Sequence, residues 1–462
     1  MYGCRPLGYR NVNDEGYKVM LHSGHPALVL ALMRLGIIPF FVLPALVVFF
    51  WAREQHGAAV AVCATGIFTM VPSVLSHAGL ATTDMALTRC LGAAFLSLIR
   101  WARQPSIGGA AVLGLTTALA ALSKFTALGY LPVSAVLALA AYLAVERPGL
   151  PEFLAIAKKR LGTLMLAGAT AAFTIWAAYW FSWGRVAGWG ISLPAPEFLE
   201  GMMAATRHLN FGHETLLFGK FSMTGWWYFF PVVIAVKTPI ALLVLIAAGC
   251  WYGWQTRTSP GIYLPVALIM GTLLPAMTSK VNIGVRHILP VYIGFSILAA
   301  LGLAGLAHSA RRPLRIAAAL LVIWLVVTGA INHPDYIPYF NEAIADREST
   351  LADSDLEWGQ DRLRVAKRFR ELGVTEIHYG LTIDHLENDY VWPGLPHSLP
   401  VSPLTPVEGW TVIHPSIDQM TQYGLFHRYQ NIVPWWSRLP VTEKVGQYRL
   451  YYLPPGSVRR VQ

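Results

Sequence analysis

Long apolar runs alternate with short polar connections between residues 27 and 332. A helix needs about 20 apolar residues to cross the hydrocarbon core of a bilayer. We therefore predict about ten transmembrane helices, at residues 27–51, 57–77, 85–101, 107–122, 126–145, 160–182, 229–251, 260–277, 287–308 and 313–332. The predicted fold class is an α-helical polytopic membrane protein, with a transmembrane domain over residues 27–332.

The pattern changes after residue 332, where the sequence predicts a small soluble α/β domain over residues 333–462. The segments VTEIHYGL, WTVIHP and YRLYYLP are rich in β-branched and aromatic residues and predict short strands. A helix is predicted at residues 358–372, with an apolar face formed by Leu363, Val365, Phe369 and Leu372.

The composition supports the membrane class. Of the 462 residues, 55% are hydrophobic and 13% are charged, and the mean hydropathy is +0.47. Soluble globular proteins carry about 25% charged residues. The net charge is +10, but the basic residues are spread over short connections, so nucleic acid is not predicted as a partner. The four cysteines lack the spacing of a metal site.

The basic residues of the connections indicate the orientation. One alternating set of connections is rich in Lys and Arg, and the positive-inside rule makes it cytoplasmic. This set contains Arg53, Arg100, Arg103, Arg147, Lys158, Lys159, Arg160, Arg257, Arg311, Arg312 and Arg315. The C-terminal domain is then periplasmic, outside a bacterial inner membrane. Residues 1–26 also fall outside, so we expect a preceding span to be missing, with one miscounted helix as the alternative.

Asp84, in HAGLATTDMAL, is the first candidate site residue. Ionisable groups near membrane depth are energetically unfavourable, so the few that occur there are usually functional. It follows Thr82 and Thr83 at the external start of a predicted helix. One interpretation is a carboxylate that stabilises the helix N-terminus through the macrodipole. The other is an active-site carboxylate that orients a sugar or binds a divalent metal ion.

Several cations are further candidates on the same side. Lys237 lies well inside an apolar run, and Lys124 and Arg286 lie near predicted helix ends, Arg286 next to His287. Snorkelling of the long side chain to the interface is one explanation, more plausible for Lys124 than for Lys237. The functional explanation is a set of contacts to a lipid-linked phosphate. Arg34, inside the first predicted span, has no partner that the sequence identifies.

The predicted external loop 183–228 is long and aromatic and carries Glu214, a further substrate-binding candidate. It is interpreted either as an amphipathic segment lying on the membrane or as a lid over a site at the membrane surface. Long loops of this kind are usually functional, which favours the lid.

Five motifs occur together along the chain: SHAGLATTDMAL, SKFTALGYLP, GHETLLFGKFSMTGWWYFFPVVIAVKTP, RHILPVY and HPDYIPYFNEA…DSDLEWGQD. In combination they resemble the bacterial protein O-mannosyltransferase-like glycosyltransferases of family 39, in the GT-C superfamily, over nearly the whole chain. The resemblance implies a polyprenyl-phosphate-sugar donor and inverting transfer on the periplasmic face. It also implies that Asp84 is an active-site carboxylate and that Lys124, Lys237 and Arg286 contact the donor phosphate or substrate.

One departure from the family pattern concerns its catalytic Asp-Glu pair, which lies in the first external loop. Here the only such pair is Asp14-Glu15, and its spacing to the next span resembles the end of that loop. We expect the catalytic Asp to lie upstream of Met1, with Asp14 as the alternative base. An inactive truncated paralogue is therefore one alternative for this chain.

The expected function is transfer of mannose or another hexose from a polyprenyl phosphate to a protein or lipid acceptor. No cofactor is assigned beyond the metal ion considered at Asp84. A transporter or flippase of a lipid-linked substrate would use the same cations without a catalytic base. A membrane scaffold that presents the C-terminal domain would explain neither Lys237 nor Asp84.

Overall fold

The computed structural model describes residues 23–255, 262–380, 394–414, 418–419, 421 and 433–458. They form two compact units. The first comprises Leu28–Glu214 and Met223–Ile344, and the second comprises Thr215–Ser222 and the chain from Ala345 onward.

The first unit is predominantly helical. Its helices are α1 (Pro26–Leu35), α2 (Ile38–His56), α3 (Ala58–Met70), α4 (Pro72–Ala78), α5 (Thr83–Arg103), α6 (Ile107–Ser123), α7 (Ala127–Glu146), α8 (Leu150–Ala178), α9 (Pro196–Phe211), α10 (Phe229–Lys237), α11 (Ile240–Gln255), α12 (Tyr263–Met277), α13 (Val291–Ala307) and α14 (Arg312–Ile331). A short 3-10 helix, Val285–Ile288, lies between α12 and α13.

Among the described residues, five to seven of the ten predicted spans are long and apolar enough to cross a membrane. Five segments are long and apolar enough to cross a membrane, namely α1 with α2, α5, α7, α8 and α14. Two bent pairs, α3 with α4 and α10 with α11, pass the same test together, and α6, α12 and α13 are shorter apolar helices. The predicted α-helical polytopic class, with a small α/β region at the C-terminal end, is confirmed.

Both bent pairs break immediately before a proline. The bend is 67° between α3 and α4 and 112° between α10 and α11. Val71 precedes Pro72 and Thr238 precedes Pro239, and both have extended backbone with ψ of 121° and 131°. A residue before proline is driven out of the helical region by the proline ring, which explains the position of each break.

Small residues allow close packing of α11 against α13. A Cβ atom added at Gly249 would overlap the backbone carbonyl of Leu298, and one added at Gly302 would overlap that of Leu245. Glycine at a helix contact lets two backbones approach, which maximises dispersion contacts within the apolar unit.

Helix α8 begins earlier than predicted. The sequence predicted a span at 160–182 with Lys158 and Lys159 in a connection, whereas the helix runs from Leu150 to Ala178. Pro151 occupies the first turn, where its missing N–H needs no partner, and Glu152 follows it. The basic residues therefore extend the helix beyond its apolar part.

The segment that follows α8 is structured. Strands β1 (Trp183–Arg185) and β2 (Ser192–Pro194) form an antiparallel hairpin, and α9 follows. Trp180, Trp183 and Trp189 are exposed. Exposed indole rings are typical of the membrane–water interface. The interpretation of this region as a lid stays a prediction.

The second unit contains a hairpin and a mixed sheet. Strands β3 (Thr215–Leu217) and β4 (Lys220–Ser222) form the hairpin, and Leu217 bridges to Leu351, which follows the short helix α15 (Arg347–Thr350). The sheet has the order β6-β5-β7-β9-β8. Its strands are β5 (Glu376–Tyr379), β6 (His397–Pro400), β7 (Gly409–Ile413), β8 (Glu443–Val445) and β9 (Tyr448–Leu453). Strand β5 pairs in parallel with β6 and β7, whereas β9 is antiparallel to β7 and β8.

Helix α16 (Arg362–Glu371) packs on this sheet through a narrower face than predicted. Val365 and Phe369 are buried against Ile377 and Leu450. Leu363 and Leu372 are exposed, so their assignment to the apolar face was wrong. The helix begins at Arg362 rather than at residue 358, because the preceding residues form a turn around Gly359 with φ of +79°. The buried residues of this shorter helix are Val365, Ala366 and Phe369.

Candidate active site

A buried ion pair connects two helix ends in the first unit. Lys124 Nζ lies 2.7 Å from Asp84 Oδ1, and the Asp84 side chain is only 3% exposed. Asp84 lies in the first turn of α5, and Lys124 is the C-terminal cap of α6. Each charge therefore has the sign that the helix dipole favours at its position. The structure brings together two residues that the sequence proposed separately.

Lys237 is buried at the break between α10 and α11, with an exposure of 2%. Its Nζ donates a hydrogen bond to the Ile337 carbonyl oxygen at 2.7 Å and lies 4.4 Å from the centre of the Phe340 ring. These contacts hold the ammonium group inside the unit. Snorkelling to the surface, one explanation offered by the sequence, does not describe this side chain.

Asn341 stabilises the same break and was missed by the sequence analysis. Its Nδ2 donates to the Thr238 carbonyl at 3.0 Å, and its backbone N–H donates to the Val236 carbonyl at 2.8 Å. A helix end leaves carbonyl groups without intrahelical partners, and buried ones must be satisfied elsewhere. Asn341 lies within the IPYFNEA motif, but no local pattern indicated which helix end it would meet.

Arg286 and His287 lie on the 3-10 helix before α13. Arg286 is partly exposed. The His287 ring is buried and stacks on Phe230, with centroids 5.8 Å apart, and its carbonyl oxygen accepts a hydrogen bond from Tyr130 at 3.2 Å. His287 was proposed as part of an external cation cluster, whereas its ring packs inside the unit.

The candidate charges act on one buried ring, that of His77. This side chain is 2% exposed, on the short helix α4. It interacts electrostatically with Asp84, Arg286, Lys237 and Lys124. We call these five residues the polar cluster. The four charged side chains come from four separate elements and comprise three cations and one carboxylate.

Two predicted candidates lie apart from this arrangement or outside the described residues. Glu214 is exposed, and its carbonyl oxygen lies 2.8 Å from His213 Nδ1. Arg34 is exposed on α1. Asp14, the alternative base, lies outside the described residues. Within the described ranges, no three His, Cys, Asp or Glu side chains are grouped as a metal site, and Asp84 has Lys124 as its neighbour.

The DSDLEWGQD motif forms a second polar network, inside the second unit. The Tyr379 hydroxyl donates to the Tyr448 hydroxyl at 3.0 Å, and Tyr448 donates to Glu357 at 3.1 Å. Burial raises the pKa of Glu357 and also that of Tyr448. Asp361 accepts a hydrogen bond from the Gln447 N–H at 2.9 Å. These contacts attach the motif to β5 and β9, which gives it a structural role in the domain.

Comparison with known proteins finds no matching family model and no matching curated protein. Among solved structures, the chain is similar to ArnT from Cupriavidus metallidurans in the apo state, with a TM-score of 0.44 and 13% identity over 90% of this chain and 82% of that chain. The same protein bound to undecaprenyl phosphate gives a TM-score of 0.44 and 14% identity over 90% and 83% of the two chains.

An Archaeoglobus fulgidus oligosaccharyltransferase tethered with an acceptor peptide gives a TM-score of 0.37 and 16% identity. That similarity covers 70% of this chain and 45% of the other. All three similarities are remote.

Proposed function

We propose that this protein is a membrane glycosyltransferase that takes a sugar from a polyprenyl-phosphate donor and passes it to an acceptor at the external membrane surface. The observation that carries the proposal is the polar cluster, in which Lys124, Lys237 and Arg286 act with the Asp84 carboxylate on one buried position. Ammonium and guanidinium groups that meet at one place near membrane depth are suited to binding a phosphate anion. A lipid-linked phosphate supplies that anion and keeps its tail in the bilayer.

The charges fit the reaction as well as the ligand. A sugar phosphodiester carries one negative charge, and the phosphate monoester that leaves carries up to about two at neutral pH. The cluster brings three cations to the site. The cluster therefore stabilises the leaving phosphate more than the bound donor, which is the requirement for accelerating the transfer.

Each charged residue has a role in this scheme. The acceptor oxygen attacks the anomeric carbon, the bond from that carbon to the phosphate oxygen breaks, and the electron pair stays on the phosphate. Lys237 and Arg286 neutralise the phosphate, and Asp84 orients Lys124 toward it, because their ion pair is 2.7 Å long. The acceptor proton passes to a base. The sequence motifs that resemble family 39 enzymes support mannose or another hexose as the sugar.

A transporter or flippase of a lipid-linked phosphate is the second candidate. It is favoured by the two broken helices, which bend by 67° and 112°. Transporters place substrate sites at such breaks. The same cations would then bind the headgroup, and no bond of the substrate would be cleaved.

Transfer of a radiolabelled hexose distinguishes the two candidates. The purified protein is reconstituted into liposomes with undecaprenyl-phosphate mannose or undecaprenyl-phosphate glucose and a membrane extract as acceptor source. We expect label to move from the polyprenyl lipid to a protein or lipid acceptor, and Lys237→Gln to abolish this. Lys158→Gln, an exposed lysine on α8, is the matched control. Label that crosses the bilayer while still attached to the polyprenyl phosphate would refute the transferase.

A further inference from the structure

His77 is the member of the polar cluster that the proposed chemistry leaves without a role. It lies on α4 one turn after Ser73, and residues four apart share a helix face. Ser73 Oγ donates a hydrogen bond to the Lys237 carbonyl at 2.8 Å. The face of α4 that carries His77 is therefore the face that meets the Lys237 break. Helix α4 also contacts α5 and the 3-10 helix that bears Arg286.

The neighbouring serine favours one tautomer of His77. Ser76 Oγ donates its only proton to the Ser73 carbonyl at 2.9 Å. The same Oγ lies 3.5 Å from His77 Nδ1 and can only accept in that contact. We assign the proton of the neutral imidazole to Nδ1, which leaves Nε2 as a lone-pair acceptor.

The Nε2 atom is buried and has no hydrogen-bond partner among the described residues. A buried acceptor without a donor is unfavourable by about 1–3 kcal/mol. A phosphate oxygen has no proton to offer and would repel the lone pair. A sugar hydroxyl is a donor of the required type, and it would arrive in the site joined to the phosphate that the cations bind.

We propose that His77 Nε2 accepts a hydrogen bond from a hydroxyl group of the sugar carried by the donor lipid. This inference rests on the proposed function and names a second part of the same site. The cations recognise the phosphate, which every polyprenyl phosphate shares, while His77 recognises the presence of a hydroxylated sugar. His77 therefore distinguishes the sugar-bearing donor lipid from the polyprenyl phosphate that remains after transfer.

The test compares two lipids that differ only in the sugar. Binding of undecaprenyl-phosphate mannose, undecaprenyl-phosphate glucose and undecaprenyl phosphate is measured for the purified full chain in nanodiscs. One hydrogen bond to a buried acceptor corresponds to about a tenfold change in affinity. We expect His77→Phe to weaken binding of at least one sugar-bearing lipid about tenfold and to leave binding of undecaprenyl phosphate unchanged.

Two further measurements keep the outcome independent of folding. His77→Gln places an amide near the Nε2 position, and we expect it to restore much of the preference for the sugar-bearing lipid. The wild-type protein is expected to bind that lipid more tightly than undecaprenyl phosphate. Equal weakening of all lipids by His77→Phe, or a wild-type protein indifferent to the sugar, would overturn the role of His77 while leaving the phosphate site intact. Failure of the wild-type protein to bind any of the lipids would refute the proposed function itself.

Discussion

Lys124 Nζ meets Asp84 Oδ1 at 2.7 Å, but the two partners are not equally buried: the lysine side chain is 21% exposed and the aspartate 3%. Loss of one partner of a buried pair leaves the other charge uncompensated. The consequences of the two losses therefore differ. The Lys124 side chain stays partly hydrated when its partner is removed, whereas the Asp84 side chain is almost completely buried.

We expect Lys124→Gln to destabilise the protein by about 3 kcal/mol, because it strands the buried Asp84 carboxylate. Asp84→Asn is expected to cost less, about 1 kcal/mol, since Lys124 is partly hydrated. Unfolding of the purified variants in detergent measures both values. The double variant should lose less stability than the sum of the single variants, and strictly additive losses would contradict a coupled pair.

Replacement of Lys237 tests the phosphate site by activity. We expect Lys237→Gln to reduce the rate of sugar transfer about 10²-fold or more, because one preorganised charge in a water-poor site is lost. Lys237→Arg should not restore the rate, since the ammonium group is held between the Ile337 carbonyl and the Phe340 ring. Initial rates with a radiolabelled donor measure the effect. Full activity of Lys237→Gln would remove this residue from the site.

Two helical glycines, Gly249 and Gly162, provide a test of helix packing in the first unit and its control. A Cβ at Gly249 would overlap the Leu298 backbone, whereas one at Gly162 would meet nothing within 4 Å. We expect Gly249→Ala to destabilise the protein by about 1–3 kcal/mol. Gly162→Ala should be neutral or slightly stabilising, because alanine favours the helix. Thermal unfolding in detergent compares them, and an equal response of both variants would contradict the close contact of α11 with α13.

The buried His414 ring is expected to make the stability of the second unit depend on pH. Burial, with a further contribution from Arg362, lowers the pKa of His414 from 6.5 to about 3 in the folded domain. The folded state keeps the ring neutral while the unfolded state takes up a proton, so stability is complete above pH 6.5 and decreases toward pH 3. At pH 5 we expect a loss of about 2 kcal/mol.

Amide hydrogen exchange of β7 and β9, corrected for the intrinsic rate, measures this loss in the full chain. Glu357 makes a contribution to the pH dependence of stability that is opposite in sign to that of His414. Burial raises the pKa of Glu357, so its protonated form favours the folded state. The comparison is therefore made between wild type and His414→Gln. A pH response that is unchanged in His414→Gln would exclude this histidine as the cause.

Residue type and spacing predicted which segments are helices and which side chains are unusual, but not which of them meet. Pro239 follows Thr238 in the sequence and marks the break that the structure shows. One partner of the Lys237 ammonium group, by contrast, is a backbone carbonyl, and a carbonyl has no sequence signature. Asp84 and Lys124 are separated by 40 residues, so their contact depends on how α5 and α6 pack.

Helix α16 shows the same limit at the level of a single face. Its apolar positions were predicted from periodicity, yet only Val365 and Phe369 reach the sheet. Leu363 is 49% exposed because it lies two positions before Val365, about 200° around the helix, and the two cannot share a face. Leu372 is the C-terminal cap, beyond the last helical residue Glu371, and the exact end of a helix is poorly determined by a sequence pattern.

Helices α12 and α13, which follow the Lys237 break, have 15 and 17 residues. At 1.5 Å per residue they measure about 22 and 25 Å, against about 30 Å for the hydrocarbon core of a typical bilayer. Helices shorter than the bilayer are accommodated by local thinning. Because α12 packs against α13, the mismatches of these two helices fall in the same sector of the protein.

A thinned sector lowers the headgroup plane toward the centre of the membrane. A lipid phosphate would then reach the buried cations without leaving its own leaflet. Thinning of the membrane, and not extraction of the lipid from it, would bring the phosphate to the depth of the site. We therefore expect the rate of sugar transfer to increase in liposomes made of lipids with shorter acyl chains, and transfer assays in such liposomes measure this effect. A rate that rises as the bilayer becomes thicker would show that hydrophobic mismatch has no part in delivering the substrate.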